Sequence, residues 1–462
     1  MSQPNAIFLS SLLLLLTTNI EADFVQQGGK LVGSGAVGAP GHGVSVAISG
    51  DGNTAIVGGD GDSSDLGAAW IWVRSNGVWS QQGGKLAGSG AVGDKVYQGV
   101  SVALSGDGNT ALVGGSGDSS GSGAAWVWIR SNGVWSQQGG KLVGTGAVGD
   151  LNIKQGWSVA LSGDGNTAMI GGWGDDGNSG AVWVWTRSGG VWSQQGGKLV
   201  GSGATGQSEQ GFSVALSADG NTAIVGGHFD HEEFGAAWVW TRTGNVWSQQ
   251  GGKLVGSDDS LIIAHQGWSV ALSGDGNTAL VGGWSDSGGT AWVWKRSGEA
   301  WSQQGGKLVG SGNAGVANQG WSVALSSNGN TAIIGGPTDS TDCCAASKGA
   351  AWVWTRSGDI WSQQGGKLIG AGDSLHMARQ GTSVAVSSDG NTLIVGGPDD
   401  NLGLGAAWVF TQSGTTILRK RSDLPRLVLC NGSSLQFDLP QYGKVIIQLF
   451  NAKGQVVAKI HP

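Results

Sequence analysis

The chain is short of several things on which functional assignments often rest. Only 12% of its 462 residues are charged and the net charge is −7, so no basic face is available to displace counterions from a nucleic-acid backbone. Three Cys, at 343, 344 and 430, do not make a disulfide framework. They read as a vicinal pair, as one of the two bonded to Cys430, or as free thiols. No apolar run is long enough to span a bilayer. The longest, IFLSSLLLLL at Ile7–Leu16, reads as the core of an export signal over residues 1–22, with the small Ala22 at its end. No Lys or Arg precedes it and Ile20 is bulky, which leaves a buried N-terminal segment as the other reading. No H-E-x-x-H or P-loop is present, so neither zincin nor nucleotide chemistry is indicated.

What the chain has in excess is glycine, with 90 residues, and tryptophan, with 24. Both follow a repeat. Versions of SGDGNTAIVGG begin at Ser49, Ser105, Ser162, Ser217, Ser273, Ser326 and Ser387, and GGK recurs from Gly28 to Gly365 at a period of about 56 residues, in the range of propeller blades. Each unit holds four strand-like runs. In the third they are WSVALS at Trp157–Ser162, TAMIGG at Thr167–Gly172, GAVWVWTR at Gly180–Arg187 and VWSQQGGKLVG at Val191–Gly201. A DGN turn joins the first two. The array opens with a fourth strand alone, FVQQGGKLVG at Phe24–Gly33, and its last copy, from Gly381 to Gln412, lacks one. Each end carries what the other is missing. The sequence therefore predicts an all-β chain: a closed seven-bladed β-propeller of four-stranded antiparallel blades over residues 23–414. Phe24–Gly33 completes the last blade and so removes both orphan edges. A basic linker, 415–430, and a small β appendage, 431–462, follow.

The unit G-x-SVALS-x-DGNTAIVGG…GAAWVWTRSGGVWSQQGGKLVG resembles the FG-GAP repeats of integrin α-chain propellers, and more closely the Trp-rich bacterial branch of that repeat family, over about Phe24–Gln412. The resemblance implies an extracellular propeller used in adhesion or ligand binding. One departure stands out. The calcium loops of that family carry several Asp or Asn ligands, whereas GDGN offers a single carboxylate such as Asp51, Asp107 or Asp164, too few for calcium's six to eight oxygens. The tail FDLPQYGKVIIQLFNAKGQVVAKI at Phe437–Ile460 is similar to part of the C-terminal sorting domain of type IX secretion, without its Asn-Pro-Phe opening or final hairpin.

Strand direction alternates within a blade. Loops 1–2 and 3–4 therefore share one face of the disc, and they are nearly constant. Loops 2–3 and 4–1 share the other, and they vary. Nineteen of the 24 Trp occupy copied strand positions. The remaining five, Trp157, Trp173, Trp268, Trp284 and Trp321, fall at the variable-face ends of strands 1 and 2, where Phe212, His228 and Phe229 join them. Gln155, Gln210, Gln266 and Gln319 precede the strand-1 aromatics by two residues. Rings beside amides suit a sugar, whose CH faces stack while its hydroxyls are hydrogen-bonded. The competing reading is that the rings plug the channel and the Gln side chains bond backbone.

Acidic loops lie on the same face: Asp60, Asp62 and Asp65; Asp175 and Asp176; Asp230, Glu232 and Glu233; Asp399 and Asp400. They read as solvated turn carboxylates, with calcium the cofactor they would suit if any, and His228 with His231 as an alternative transition-metal pair. Asp175, Glu209, Glu232 and Glu233 are the carboxylates a glycosidase would need, but no pair is marked. The expectation is a secreted or cell-surface, monomeric, non-enzymatic binding module without a cofactor. Its partner is an extracellular glycan or protein, met through the aromatic arc. A polysaccharide-active enzyme and a ligand-free structural propeller are the alternatives.

Overall fold

A computed structural model describes residues 23–413, apart from 150–151, 258–262, 286–287, 341–346 and 373–376, together with the backbone of five short strands outside that range. The expectations for the signal core at Ile7–Leu14, for most of the linker and for the three Cys lie outside the described residues. Two compact units result, Phe24–Thr411 and a second made of Met1–Asp23 with Gln412–Pro462.

The larger unit is a seven-bladed β-propeller, each blade a four-stranded antiparallel sheet. In blade 1 the strands are Val46–Ile48, Thr54–Gly59, Ala68–Ser75 and Val78–Gln81. The first strands of blades 2–7 begin at Gln98, Ser158, Ser213, Ser269, Ser322 and Ser383. Blade 7 is completed by Phe24–Gln26, hydrogen-bonded beside Ala406–Gln412, with Leu31 bridging Ala407. The ring therefore closes as the truncated ends of the array predict.

Packing lies between blades. Seven equivalent Trp (70, 126, 183, 238, 292, 352 and 408) have no exposed surface. One cluster shows the pattern, combining Ile224, Ala237 and Val239 of blade 4 with Val270, Val281, Trp292 and Trp294 of blade 5. Burial of each ring contributes about 2–3 kcal/mol. Two closed sets of hydrogen bonds then join all seven blades. Near one face, the serine that follows the strand-1 aromatic position donates its hydroxyl to a glycine carbonyl of the next blade: Ser45 to Gly99, Ser101 to Gly156, Ser158 to Gly211, Ser213 to Gly267, Ser269 to Gly320, Ser322 to Gly381 and Ser383 to Gly43. Near the other, backbone amides run Gly50 to Gly106, Gly163, Ala218, Gly274, Ser327, Ser388 and back to Gly50. This close approach explains the first glycine of each copied Gly-Gly, while the second, as at Gly59, lies against the incoming loop and the buried Trp. A Cβ on Gly58 would lie 2.0 Å from the Gly99 carbonyl oxygen and 2.3 Å from Ser45 Oγ.

The DGN turns are bonded locally. Ser49 donates to Asp51, which also accepts from the Asn53 amide and side chain, and Arg74 donates to Asn53. Partial burial alone would raise the Asp51 pKa. The hydrogen bonds from Ser49 and Asn53, with the charge of Arg74, outweigh it and hold the carboxylate below its ordinary value. Asp107, Asp164, Asp219, Asp275 and Asp389 share the direction. Blade 6 has Asn328 instead, which keeps the Ser326 and Asn330 bonds.

In the smaller unit Leu15–Thr18 pairs antiparallel with Val445–Phe450, which pairs with Val456–Ile460. Leu427–Leu429 pairs with Leu435–Phe437. The linker expected over 415–430 thus contains a strand: its apolar LVL meets LQF across a two-stranded ladder.

Two outcomes follow for the propeller. Gly58→Ala, with the Gly99 backbone as well as the Ser45 hydroxyl in the way, should destabilise it by about 1–3 kcal/mol, read as a lower midpoint in denaturant. A depressed carboxylate stabilises above the unfolded pKa near 3.9 and loses that effect as pH falls through the lower folded value. Thermal stability should therefore drop as the pH goes below about 4, and less steeply when Asp51, Asp107 and Asp164 are together changed to Asn.

Candidate functional site

The start of strand 1 in each blade lies next to its counterparts in the neighbouring blades, so one residue per blade lines the mouth of the central channel. In order these are Val44, Val100, Trp157, Phe212, Trp268, Trp321 and Thr382. The four aromatics touch in sequence: Trp157–Phe212 at 5.4 Å between ring centroids, Phe212–Trp268 at 4.7 Å and Trp268–Trp321 at 4.7 Å. A second row comes from the ends of strand 2. Trp173 meets Trp157 edge-on at 6.0 Å, His228 lies 4.1 Å from Phe212 and 4.8 Å from Trp268, and Trp284 lies 5.7 Å from Trp268 and 5.8 Å from Trp321. The five Trp scattered in sequence thus form one surface with Phe212 and His228 across blades 3–6. All five, with Phe212, are half-buried, the Nε1 of Trp173 and of Trp284 being buried without a partner, while His228 is buried.

The glutamines belong elsewhere, which corrects their expected role. Gln155, Gln210, Gln266 and Gln319 are buried. Each accepts from the amide of a copied glycine (Gly144, Gly201, Gly256 or Gly310) and donates back to the same residue's carbonyl. That glycine lies against the buried Trp, as Gly144 does on Trp183. The amide is a clamp that satisfies buried backbone, not a group offered to a ligand.

The acidic loops are also partly structural. Asp62, Asp118, Asp175, Asp230, Asp339 and Asp400 are buried, each paired with the lysine of a GGK: Lys85, Lys141, Lys198, Lys253, Lys367 and Lys30. Asp62, Asp118, Asp175, Asp230 and Asp339 also accept from a backbone amide of the loop leading into their blade. Asp65 pairs with Lys95 at 3.0 Å, and Asp60 is pushed up to about 6, chiefly by burial with Asp65 adding. His231 packs on Phe234, away from the rings that hold His228. Among the described residues no group of three or more His, Cys, Asp or Glu is assembled that would hold a metal. Gly117–Gly121, GDSSG, has the spacing of a nucleophile elbow. Its Ser119 lies in a left-handed turn with the hydroxyl donating to Asp118, and Lys141 donates to that hydroxyl.

One set of residues escapes single-sequence reading. The position before each clamp residue is Gly41, Tyr97, Lys154, Glu209, His265, Asn318 and Arg379 in blades 1–7, and all seven have φ between 50° and 65°. Comparing the copies column by column is the signal that finds it: within a repeat this regular, six blades carry six different polar side chains. Arg379 lies over Trp321 at 5.8 Å and pairs with Asp399. His265 stacks on Trp284 at 5.0 Å. Glu209 Oε2 is 3.7 Å from His228 Nε2, and His265 Nε2 is 3.7 Å from Glu233.

No protein-family model matches the chain, and no curated protein matches it. The architecture and the geometry of this face therefore carry the functional reading. Among the described residues no helix is long and apolar enough to cross a membrane.

Burial sets the charge state within the arc. It pushes Glu209 up to about 7. It lowers His228 to about 3, with nearby His265 adding. His265 is lowered by burial against the opposing pull of Glu233 and the backbone of His228. The Glu209–His228 contact is thus one between a carboxyl group and a neutral imidazole, not an ion pair. An acid whose folded pKa is raised supports folding below its unfolded value near 4.3, and that support is lost as the pH climbs to about 7. Glu209→Gln should accordingly melt higher than the parent protein at pH 8 and with it at pH 4.5, measured by thermal unfolding at both pH values.

Proposed function

We propose that this propeller is a secreted or cell-surface binding module that recognises an extracellular glycan through the arc of Trp157, Phe212, Trp268 and Trp321. The observation that carries the reading is the unbroken run of half-buried rings across four blades, on the face where the repeat is least constant. Rings packed in series and only half-buried offer π faces to the CH groups of a sugar. Contiguous aromatic surface on a rigid scaffold is a common form of binding site. The resemblance to the FG-GAP propellers supports an extracellular, adhesive setting, and the sorting-type tail with the apolar N-terminal run supports export. A protein ligand on the same rings is the broader form of the proposal.

The proposed role is binding without turnover. Of the carboxylates on this face, Asp175 is committed to Lys198, Glu233 faces His265 and Glu209 lies against the neutral His228. An array of extracellular glycans probed with the intact chain should give saturable binding, with no release of reducing ends. Trp268→Ala removes the ring that touches Phe212, His228, Trp284 and Trp321 and should lower affinity at least tenfold. Unchanged binding by Trp268→Ala and Trp157→Ala would overturn the assignment of the arc.

A further inference from the structure

The residues that choose the ligand need not be those that stack on it. With the glutamines clamped to backbone, the arc needs another source of directional hydrogen bonds. Three members of the left-handed column lie against the arc: Glu209 beside His228, His265 on Trp284 and Arg379 over Trp321. Left-handed backbone is strained for a residue with a Cβ, and glycine is the residue that adopts it freely. Blade 1 uses Gly41 at this position, so the scaffold accepts glycine there. Blades 2–7 instead hold Tyr97, Lys154, Glu209, His265, Asn318 and Arg379 in that conformation. A purely structural constraint favours one residue type, as at the next position, where six blades carry Gln98, Gln155, Gln210, Gln266, Gln319 and Gln380 and only blade 1 differs, with His42.

Glu209 is the central member. Its side chain is 13% exposed, and no hydrogen-bond donor of the described residues reaches its carboxylate. It lies beside His228, which packs on Phe212 and Trp268 in the middle of the arc. His228 is itself 3% exposed, with an Nδ1 that bonds no other group. A carboxyl group without a partner, next to a stacking surface, matches a pair of adjacent sugar hydroxyls, which it can bond with both oxygens. The same group disfavours an acidic sugar at the centre of the site, and Arg379 at one end is already paired with Asp399.

We propose that Glu209, His265 and Arg379 form the polar, selectivity-determining row of the site, and that Glu209 reads adjacent hydroxyls of a neutral oligosaccharide stacked on the arc. The inference rests on the glycan reading and adds to it the ligand class and the selecting residues. The probes are hexasaccharides of glucose, mannose, galactose, xylose and N-acetylglucosamine, with a hexauronate as the acidic comparison. Binding to the intact chain is followed by tryptophan fluorescence and checked by calorimetry. At least one neutral hexasaccharide should bind, and the hexauronate should bind at least tenfold more weakly. Glu209→Gly and Arg379→Gly should each lose tenfold or more in affinity while melting no lower than the parent protein, because glycine relieves the left-handed backbone. If Trp268→Ala abolishes binding and both glycine variants bind like the parent, the arc stands and the polar row is overturned. A melting temperature lowered by several degrees in both glycine variants makes the column structural and also overturns it. Preference for the hexauronate removes the neutral-sugar assignment. Binding of no probe at all overturns this inference and leaves the protein-ligand form of the arc to stand or fall on its own variants.

Discussion

The contact on which the rest of the molecule depends is the approach of each blade's innermost strand to the next, where a serine hydroxyl meets a glycine carbonyl seven times around a closed circuit. The approach is too close for a Cβ, which is why the first residue of each Gly-Gly that ends a second strand is glycine. It also sets the distance between equivalent atoms of successive blades, and so the centroid spacings of 4.7–5.4 Å between rings at the next residue position. The aromatic surface follows from that circuit. Four rings touch because the serines beside them are already hydrogen-bonded across the interfaces.

A division of labour runs through every blade. One face is occupied by a bonded turn, with Ser, Asp, Asn and Arg each using most of their hydrogen-bonding capacity locally. On the other face, the buried Lys–Asp pair and the Gln clamp hold the loops from below, and the tips differ from blade to blade. A scaffold whose polar groups are satisfied among themselves leaves its remaining side chains free to vary without loss of fold. Blades 3–6 use that freedom for large rings. The corresponding channel-mouth positions of blades 7, 1 and 2 carry Thr382, Val44 and Val100, so the site is one-sided although the scaffold is nearly symmetric.

Fold and closure were legible because they are written many times over: seven copies, with a fourth strand missing at one end and supplied at the other. The gathering of Trp157, Trp173, Trp268, Trp284 and Trp321 was legible too, since antiparallel alternation fixes which loop ends share a face. The role of the glutamines was not. A repeated amide two residues from an aromatic looks the same whether it bonds a ligand or a glycine backbone, and only the position of Gly144 on Trp183 decides it. The GGK lysines were read as part of a strand, because their partners lie about 23 residues earlier in a different loop. The left-handed column escaped for the opposite reason. Its members share a backbone conformation and no chemistry, and φ is not visible in a sequence whose Tyr97, Glu209 and Arg379 are ordinary residues anywhere else.

The blade stitched from both ends of the array has a consequence for biosynthesis. Phe24–Gln26 is among the first parts of the propeller to be made, and its neighbour Ala406–Gln412 is the last. At ribosomal speeds of about 5–20 residues per second, the early strand waits roughly 20–80 s for its place to exist. Throughout that interval the growing, open array presents unpaired backbone and uncovered rings at its leading blade. The architecture thus ties the end of vulnerability to the moment translation passes Gln412, and makes the growing polypeptide a customer for whatever holds nascent chains apart.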